Sequence, residues 1–337
     1  MKAISFKLVV AFVLFSMNVL SQNYNVQNVN DLKAFLNQNS SVQGKTNASV
    51  LGITDLDNPS TWQGFSTDLN SGGFVWSIVK NEYVLARLNI GSFPTDVRNK
   101  IAGELVLDDS KKQLKSIDIS ITKITKLQLT GATNALYTVY ARYCPELQLI
   151  DLSTKTSGYS NLIVSGCPKL TTVLLHKNSG VLKSISIQLS NIPLLTTLSS
   201  FNIKAEKSNV SIDKCPIRPS QMPIVESADN ALLIKSKVPF FIPAYYDTTK
   251  KYHEVTADDI IDLSAEKIIN DVTSEISWVD EKDKVVKPDE VEPGKFRLKG
   301  KGIKKNGLYT AKIKNSIFES NYYNGVGEFS SMPFYCK

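Results

Sequence analysis

The chain has 337 residues, a formal net charge of +7 and a hydrophobic fraction of 42%. These values fit one or two folded domains and exclude a disordered, collagenous or coiled-coil protein. Two histidines argue against a multi-histidine metal site, and four cysteines are too few for a dense disulfide framework at this length. We therefore expect neither a metal nor a cofactor.

The first 21 residues have the pattern of a secretory signal peptide. Lys2 and Lys7 are followed by an apolar run over residues 8–15, and cleavage is expected after Ser21. No cysteine lies near that point for lipid attachment. No later run reaches the roughly 20 apolar residues of a membrane-spanning helix. The sequence predicts an exported protein, secreted, periplasmic or on the cell surface, with no transmembrane segment.

Residues 22–110 are expected to form an α/β cap on the N-terminal end of the array that follows. Asn30 fits the N-cap of a helix over residues 31–38. Alternating apolar residues from Val84 to Ile90 predict a strand. An array of repeats exposes apolar groups at both ends, so a cap is required for solubility.

An apolar hexad recurs eight times from residue 114. It reads apolar, two variable, apolar, one variable, apolar, and successive hexads start 10 to 13 residues apart. Their first residues are Leu114, Ile124, Leu136, Leu147, Tyr159, Leu170, Leu182 and Leu195. One coil of about 20–29 residues cannot bury its apolar side chains alone, whereas stacked coils align them into ladders. The repeat predicts a solenoid over residues 111–229, with the phase lost after residue 200 and an exit loop at Cys215-Pro216.

Two stretches mark the register of adjacent coils: Cys144-Pro-Glu-Leu-Gln-Leu-Ile-Asp-Leu and Cys167-Pro-Lys-Leu-Thr-Thr-Val-Leu-Leu. They resemble leucine-rich repeats, in particular those of secreted Bacteroidetes proteins in which CPxLxxLxL units are common. The second half of each coil also has a strand pattern, which favours a flat, two-sheet solenoid over a curved horseshoe. Cys144 and Cys167 are expected to be stacked, buried free thiols, although coil spacing leaves a disulfide open.

Residues 230–337 are expected to form a small antiparallel β-sandwich. Short alternating runs recur between turns, at residues 232–237, 260–263, 275–279, 295–298 and 308–313. The region resembles the immunoglobulin-like domain that often follows such repeats, with Trp278 at the position of a core tryptophan. It lacks the cysteine pair of antibody domains, so packing alone must hold it together.

The third hexad carries the strongest candidate binding residues. Its outward places hold Tyr137 and Tyr140, and Arg142 follows closely. Two tyrosines on one strand face can stack a sugar ring or anchor a peptide. We therefore predict a binding patch at Tyr137, Tyr140 and Arg142.

Other candidates carry weaker chemistry. Asp118 and Asp151 are the carboxylates that a polysaccharide-cleaving enzyme would need, but they belong to alternate half-coils and are expected on different sheets. His176 and His253 are interpreted as surface or turn residues. The basic run at residues 295–305 fits a charged strand face, with contact to acidic glycans as an alternative. We expect no nucleic-acid partner, because an exported protein rarely meets one.

The fold class expected from the sequence is mainly β: a leucine-rich-repeat solenoid with an α/β N-terminal cap and a C-terminal Ig-like β-sandwich. The resemblance implies a non-enzymatic binding or adhesion protein that recognises a protein or glycan, on a host or a cell surface, through the solenoid. Glycan capture for nutrient uptake is the alternative, and a polysaccharide-cleaving enzyme is a third possibility.

Overall fold

The computed structural model describes most of the chain downstream of the expected signal peptide. The described residues are 23–131, 136–154, 161–175, 182–199, 202–222, 224–226, 231–236, 239–245, 247, 249–318 and 327–337. The expected signal peptide, Tyr159 and His176 lie outside these ranges.

Four α-helices lie within the described residues, and three of them are single turns. They are α1 Val26–Leu36, α2 Asn47–Val50, α3 Thr95–Arg98 and α4 Ser264–Lys267. Fifteen strands precede residue 240: β1 Phe65–Ser66, β2 Gly73–Val79, β3 Glu82–Asn89, β4 Ala102–Asp108, β5 Ser116–Asp118, β6 Lys123–Thr130, β7 Thr138–Arg142, β8 Leu149–Leu152, β9 Asn161–Ser165, β10 Thr172–Leu175, β11 Leu182–Ser190, β12 Thr197–Leu198, β13 Asn202–Asp213, β14 Ile224–Glu226 and β15 Ala231–Ser236.

Helix α1 begins earlier than its sequence pattern suggested. Its N-cap is Asn25, whose side chain accepts a hydrogen bond from the Asn28 amide at 3.0 Å. The amide of Asn25 also donates to the Tyr83 carbonyl at 2.8 Å, which fixes the cap on β3. The predicted N-cap, Asn30, is therefore wrong: a tertiary contact placed the start, and Asn30 lies inside the helix.

The N-terminal cap closes the edge of β4 with side-chain amides. Gln38 donates to the Glu104 carbonyl at 2.8 Å and accepts from the Glu104 amide at 2.7 Å. Asn47 does the same with Ala102, at 2.8 and 3.1 Å. These side chains supply the hydrogen bonds that a neighbouring strand would make, so the edge backbone groups of Ala102 and Glu104 are satisfied.

From β4 to β13 the chain alternates between two sheets and forms a β-solenoid of about four coils. The large sheet has ten strands, with the path β1-β2-β3-β5-β7-β9-β11-β13-β14 and β15 also paired with β13. The small sheet has the order β12-β10-β8-β6-β4. Coil-to-coil pairings from β4 to β15 are parallel in both sheets. The expected two-sheet arrangement is confirmed for the described coils.

Apolar side chains form in-register ladders on the inner faces of both sheets. The large-sheet ladder contains Ile117, Val139, Leu162, Ile187 and Val210. The small-sheet ladder contains Leu105, Leu127, Ile150, Val173 and Leu198. All ten side chains are buried, and each contributes about 1.5–3 kcal/mol relative to exposure. These ladders are what the hexad spacing predicted.

Each coil leaves the large sheet through the same type of corner. A residue with a left-handed backbone leads the corner in five successive coils: Ile121, Tyr143, Gly166, Asn191 and Lys214. The next residue in each coil points into the core: Thr122, Cys144, Cys167, Ile192 and Cys215. The leading amide bonds to the following coil, as in Tyr143 to the Ser165 carbonyl at 2.8 Å and Gly166 to the Ser190 carbonyl at 3.0 Å. The corners therefore stack as regularly as the strands.

The solenoid continues past residue 200, the point after which the hexads lose their phase in the sequence. Strand β13 pairs with β11 from Ala205 to Asp213, and β15 pairs with β13 in the same direction. Cys215-Pro216 lies in a corner, so its interpretation as an exit loop was wrong. The run at residues 232–237, expected in the sandwich, contributes β15 to the solenoid instead.

The C-terminal region forms an eight-stranded sheet. Its order is β16-β25-β23-β20-β21-β22-β17, with β24 paired to β23. The remaining strands are β16 His253–Val255, β17 Ile261–Asp262, β18 Ile268–Ile269, β19 Val272–Thr273, β20 Glu275–Asp280, β21 Val285–Glu292, β22 Lys295–Lys301, β23 Leu308–Lys314, β24 Glu328–Ser330 and β25 Phe334–Cys336. Trp278 is buried between Phe296 and Phe334, with ring centroids 5.5 and 5.6 Å away. The strands expected near residues 260, 275, 295 and 308 are all present.

A buried ion pair joins the two regions. The Glu266 carboxylate is fully buried and accepts from Arg218 Nε at 2.6 Å. Ser220 donates to the same carboxylate through its amide at 2.7 Å and its hydroxyl at 2.8 Å. Ile269 and Phe318 belong to the same apolar cluster as the solenoid core. The C-terminal region thus covers the end of the apolar ladders.

Candidate binding surface

The predicted patch lies on strand β7 of the large sheet. Val139 and Ala141 are buried, so Thr138, Tyr140 and Arg142 face outward by strand alternation. Tyr137 precedes the strand and is 52% exposed. The three predicted side chains therefore lie on the outer surface, with Tyr140 partly buried and Arg142 exposed.

Tyr140 is held by two neighbours. The Arg142 guanidinium carbon lies 5.1 Å from the centroid of the Tyr140 ring, a cation–π distance. Asn161 on β9 donates its side-chain amide to the Tyr140 hydroxyl at 3.1 Å. This contact joins adjacent coils. Tyr140 and Arg142 thus form a fixed unit, and Tyr137 stands beside it with a larger exposed area.

Mostly polar side chains surround this unit on the outer face of the large sheet. The row through Tyr140 contains Asp118, Ile163, Gln188 and Ser211. The row through Arg142 contains Ser165, Ser190 and Asp213. Because parallel coils repeat every 4.8 Å or so, each row is a straight, evenly spaced line of side chains. A rigid and mostly polar surface of this kind suits an extended macromolecule better than an enclosed small molecule.

The two candidate carboxylates do not meet. Asp118 lies on β5 of the large sheet and Asp151 on β8 of the small sheet, with the apolar core between them. Asp118 accepts from the Ser120 amide at 2.8 Å, and Asp151 accepts from the Gln128 side chain at 3.1 Å. Each carboxylate serves local structure.

His253 is not the surface residue that its polar neighbourhood suggested. It is fully buried on β16, and its Nε2 accepts the Ile242 amide at 3.1 Å. Burial lowers the pKa of His253 below its ordinary value of 6.5, and a contact with the Tyr245 backbone opposes that shift. The prediction failed because the covering strand, β25, comes from the far end of the chain.

Cys144 and Cys167 are buried free thiols in successive corners. Their sulfurs lie 3.2 Å from the Ile119 carbonyl and 3.4 Å from the Ala141 carbonyl, respectively. A hydrogen bond with the Cys144 thiol, together with burial, raises the pKa of Cys167. Burial raises the pKa of Cys215 to about 12. Within the described part of the chain, no cluster of three or more His, Cys, Asp or Glu side chains could hold a metal ion.

The basic run at residues 295–305 begins in a paired strand. Strand β22 pairs with β21 along its length, whereas β17 pairs only with Lys295 and Phe296 on the other side, so the rest of that side is an edge. Lys295 pairs with Glu292 at 2.6 Å, and Lys299 pairs with Asp258. These two local partners offset part of the positive charge that the sequence suggested for this run.

Sequence reasoning missed a groove between the solenoid corners and the C-terminal sheet, which we name the corner groove. The volume of the groove is about 730 Å³. One wall carries a proline from each of three successive corners, Pro168, Pro193 and Pro216. The opposite wall contains Phe241, Met332 and Pro333. The available signal was the proline two residues after each left-handed residue, which continues in Asn191-Ile192-Pro193 and Lys214-Cys215-Pro216.

Of the helices in the described ranges, none is long and apolar enough to cross a membrane. Searches with protein-family models, among curated proteins and among solved structures find no match to this chain.

Proposed function

We propose that the protein is an exported, non-enzymatic binding protein that recognises a macromolecular partner through the outer face of the large sheet. The observation that supports this proposal is the fixed Tyr140–Arg142 unit with the exposed Tyr137 beside it. Tyrosine and arginine are the side chains most often found at the energetic centre of protein interfaces. Here they are presented on a rigid surface.

The proposal includes a finer classification of both regions. The solenoid is of the leucine-rich-repeat type found in secreted Bacteroidetes proteins, and the C-terminal sheet is an Ig-like domain that covers the solenoid end. The repeated Cys-Pro-x-Leu units and the core position of Trp278 support these assignments. The pattern of residues 1–21 supports export to the cell surface, the periplasm or the medium.

A protein partner fits the patch better than a free sugar. Sugar stacking uses an open aromatic face, but the Arg142 guanidinium lies against the Tyr140 ring. Of the two tyrosines, only Tyr137 keeps a largely exposed side chain. Glycan capture for nutrient uptake therefore remains the second candidate, carried by Tyr137. A polysaccharide-cleaving role is the weakest, because Asp118 and Asp151 lie on different sheets.

Binding of residues 22–337 to a panel of extracellular-matrix proteins and to a glycan array tests the proposal. Saturable binding to a matrix protein is expected, and the double variant Tyr137→Ala/Tyr140→Ala should weaken it about 30-fold, the loss of one interface hot spot. The matched control is Lys126→Ala/Leu149→Ala on the small sheet, which should leave affinity unchanged. Equal losses in both variants would contradict the placement of the patch, and binding to oligosaccharides alone would support glycan capture.

A further inference from the structure

The corner groove has the volume of a small-molecule site. Its volume of about 730 Å³ lies within the range of ligand pockets, about 300–1,000 Å³. It also differs in polarity from the outer face of the large sheet, which is mostly polar, because its walls are mainly apolar. Five of its twelve lining residues within the described chain are prolines.

We propose that the corner groove binds a medium-chain carboxylate, with its alkyl tail along the corner prolines and its carboxylate among the lysines at the groove. Pro168, Pro193 and Pro216 form one apolar wall, and Phe241, Met332 and Pro333 form the other. An unbranched alkyl chain between these walls buries apolar area on both sides, at about 0.8 kcal/mol for each methylene.

The charge of the groove selects the head group. Lys214, Lys250 and Lys251 line it, and the lining residues of the described chain include no acidic side chain. Lys250 shares the Glu254 carboxylate with Lys337, which leaves a local excess of positive charge. Lys251 is exposed at the groove. A carboxylate beside Lys251 gains a charge-assisted hydrogen bond that a neutral head group lacks.

The dimensions and the backbone chemistry disfavour a peptide. Three corners span two coil spacings, about 10 Å, which an extended peptide covers with about three residues. The prolines have no N–H to donate, so this wall cannot pair with a peptide strand as a sheet edge would. A sugar would find few polar partners among these side chains. An alkyl chain fits both the length of the groove and its apolar lining.

Both walls are fixed before any ligand arrives. The wall of corner prolines is held by the coil-to-coil hydrogen bonds of Gly166 and Asn191. The opposite wall is held by the Met332 amide, which donates to the Phe240 carbonyl at 2.6 Å. The buried Glu266 carboxylate joins the two sides. A preformed groove costs a ligand little ordering entropy.

Calorimetric titration of residues 22–337 with a series of saturated carboxylates, kept below their micelle concentrations, tests the proposal. One carboxylate is expected per chain, and affinity should rise about fourfold for each added methylene until the roughly 10 Å groove is filled. 1-Decanol is the head-group control and should bind about tenfold more weakly than decanoate. Equal affinity for decanol and decanoate would overturn the role of the lysines.

Two variants locate the site on exposed residues, so that folding is preserved. Pro193→Trp fills the groove and should abolish decanoate binding. Pro145→Trp makes the same change in an earlier corner that does not line the groove, and binding should persist. Lys251→Glu should weaken decanoate about tenfold and leave decanol unchanged.

Loss of decanoate binding in both tryptophan variants, or no binding to the wild-type chain, would overturn the proposal. The Tyr137→Ala/Tyr140→Ala variant should bind decanoate like the wild type. That result separates the groove from the outer face of the large sheet, so the two proposals can fail independently.

Discussion

The solenoid and the C-terminal sheet use short strands in opposite ways. In the solenoid, every strand pairs with its equivalent one coil away, in parallel register, and corresponding residues do the same task in each coil. In the C-terminal sheet, neighbours come from distant parts of the chain, as in β16 with β25, and bulges interrupt β21 and β22. The two regions also have largely separate apolar clusters.

This difference determines what each region tolerates. A change in one coil is felt by the next coil through the ladders and corners, so effects in the solenoid should spread along its axis. A change in the C-terminal sheet affects a single non-repeating core. The junction at Glu266 decides whether the two respond together.

The largest effect is expected at that junction. Arg218→Met leaves the buried Glu266 carboxylate with only the two Ser220 donors, and should lower the free energy of unfolding by about 3–5 kcal/mol. Chemical denaturation should then show two transitions in place of a coupled one. Lys169→Met is the matched control, because it breaks the exposed pair with Glu146 and should cost less than about 1 kcal/mol. Equal costs would show that the junction does not couple the regions.

A pH effect of intermediate size should be confined to the C-terminal sheet. Because burial lowers the pKa of His253, the unfolded chain takes up a proton before the folded one does as pH falls. Stability is therefore complete above about pH 6.5 and decreases below it, by up to about 1.4 kcal/mol per pH unit, until the folded-state pKa is reached.

Hydrogen exchange of the β16 amides at decreasing pH measures this effect. His253→Gln should remove the pH dependence near pH 6.5. The control His176→Gln, which changes the other histidine of the chain, should retain it. The same dependence in the solenoid amides would mean that protonation is sensed across the junction. A dependence that survives His253→Gln would assign it to another group.

The smallest effect is expected at a solenoid corner. Gly166 has φ +62°, and an added Cβ would lie 2.8 Å from the Tyr143 ring of the preceding corner. Gly166→Ala should cost about 1–2 kcal/mol in thermal or chemical unfolding. Asn191→Gly, at the equivalent position one coil later, removes left-handed strain and should be close to neutral. If Gly166→Ala were also neutral, the stacking of the corners would contribute little.

The ladders could be predicted because stacking makes every coil solve the same packing problem. Leu127, Ile150 and Val173 are adjacent in space since they hold the same place in successive hexads. The corners could be predicted from the sequence only in part. Cys144 and Cys167 were recognised, but Ile192 replaces cysteine in the next corner and hid the continuation to Cys215.

The misses share a physical cause, which is contact between segments distant in sequence. His253 is buried by β25, some 80 residues later, and the start of α1 is set by Tyr83. The corner groove likewise needs residues from both regions, so no local pattern could reveal it. The Tyr140–Arg142 contact was within reach, because the two residues are neighbours on one strand face.

The amides of Gln38 and Asn47 on the edge of β4 have a consequence for assembly. A bare strand at the end of a stack is a template on which a second copy can add its own strand, and repeated addition produces a fibre. A side-chain amide satisfies the same donors and acceptors but has no backbone behind it to offer to the next molecule. At this end of the small sheet, the side chains of Gln38 and Asn47 therefore stand where the strand of a second copy would have to pair.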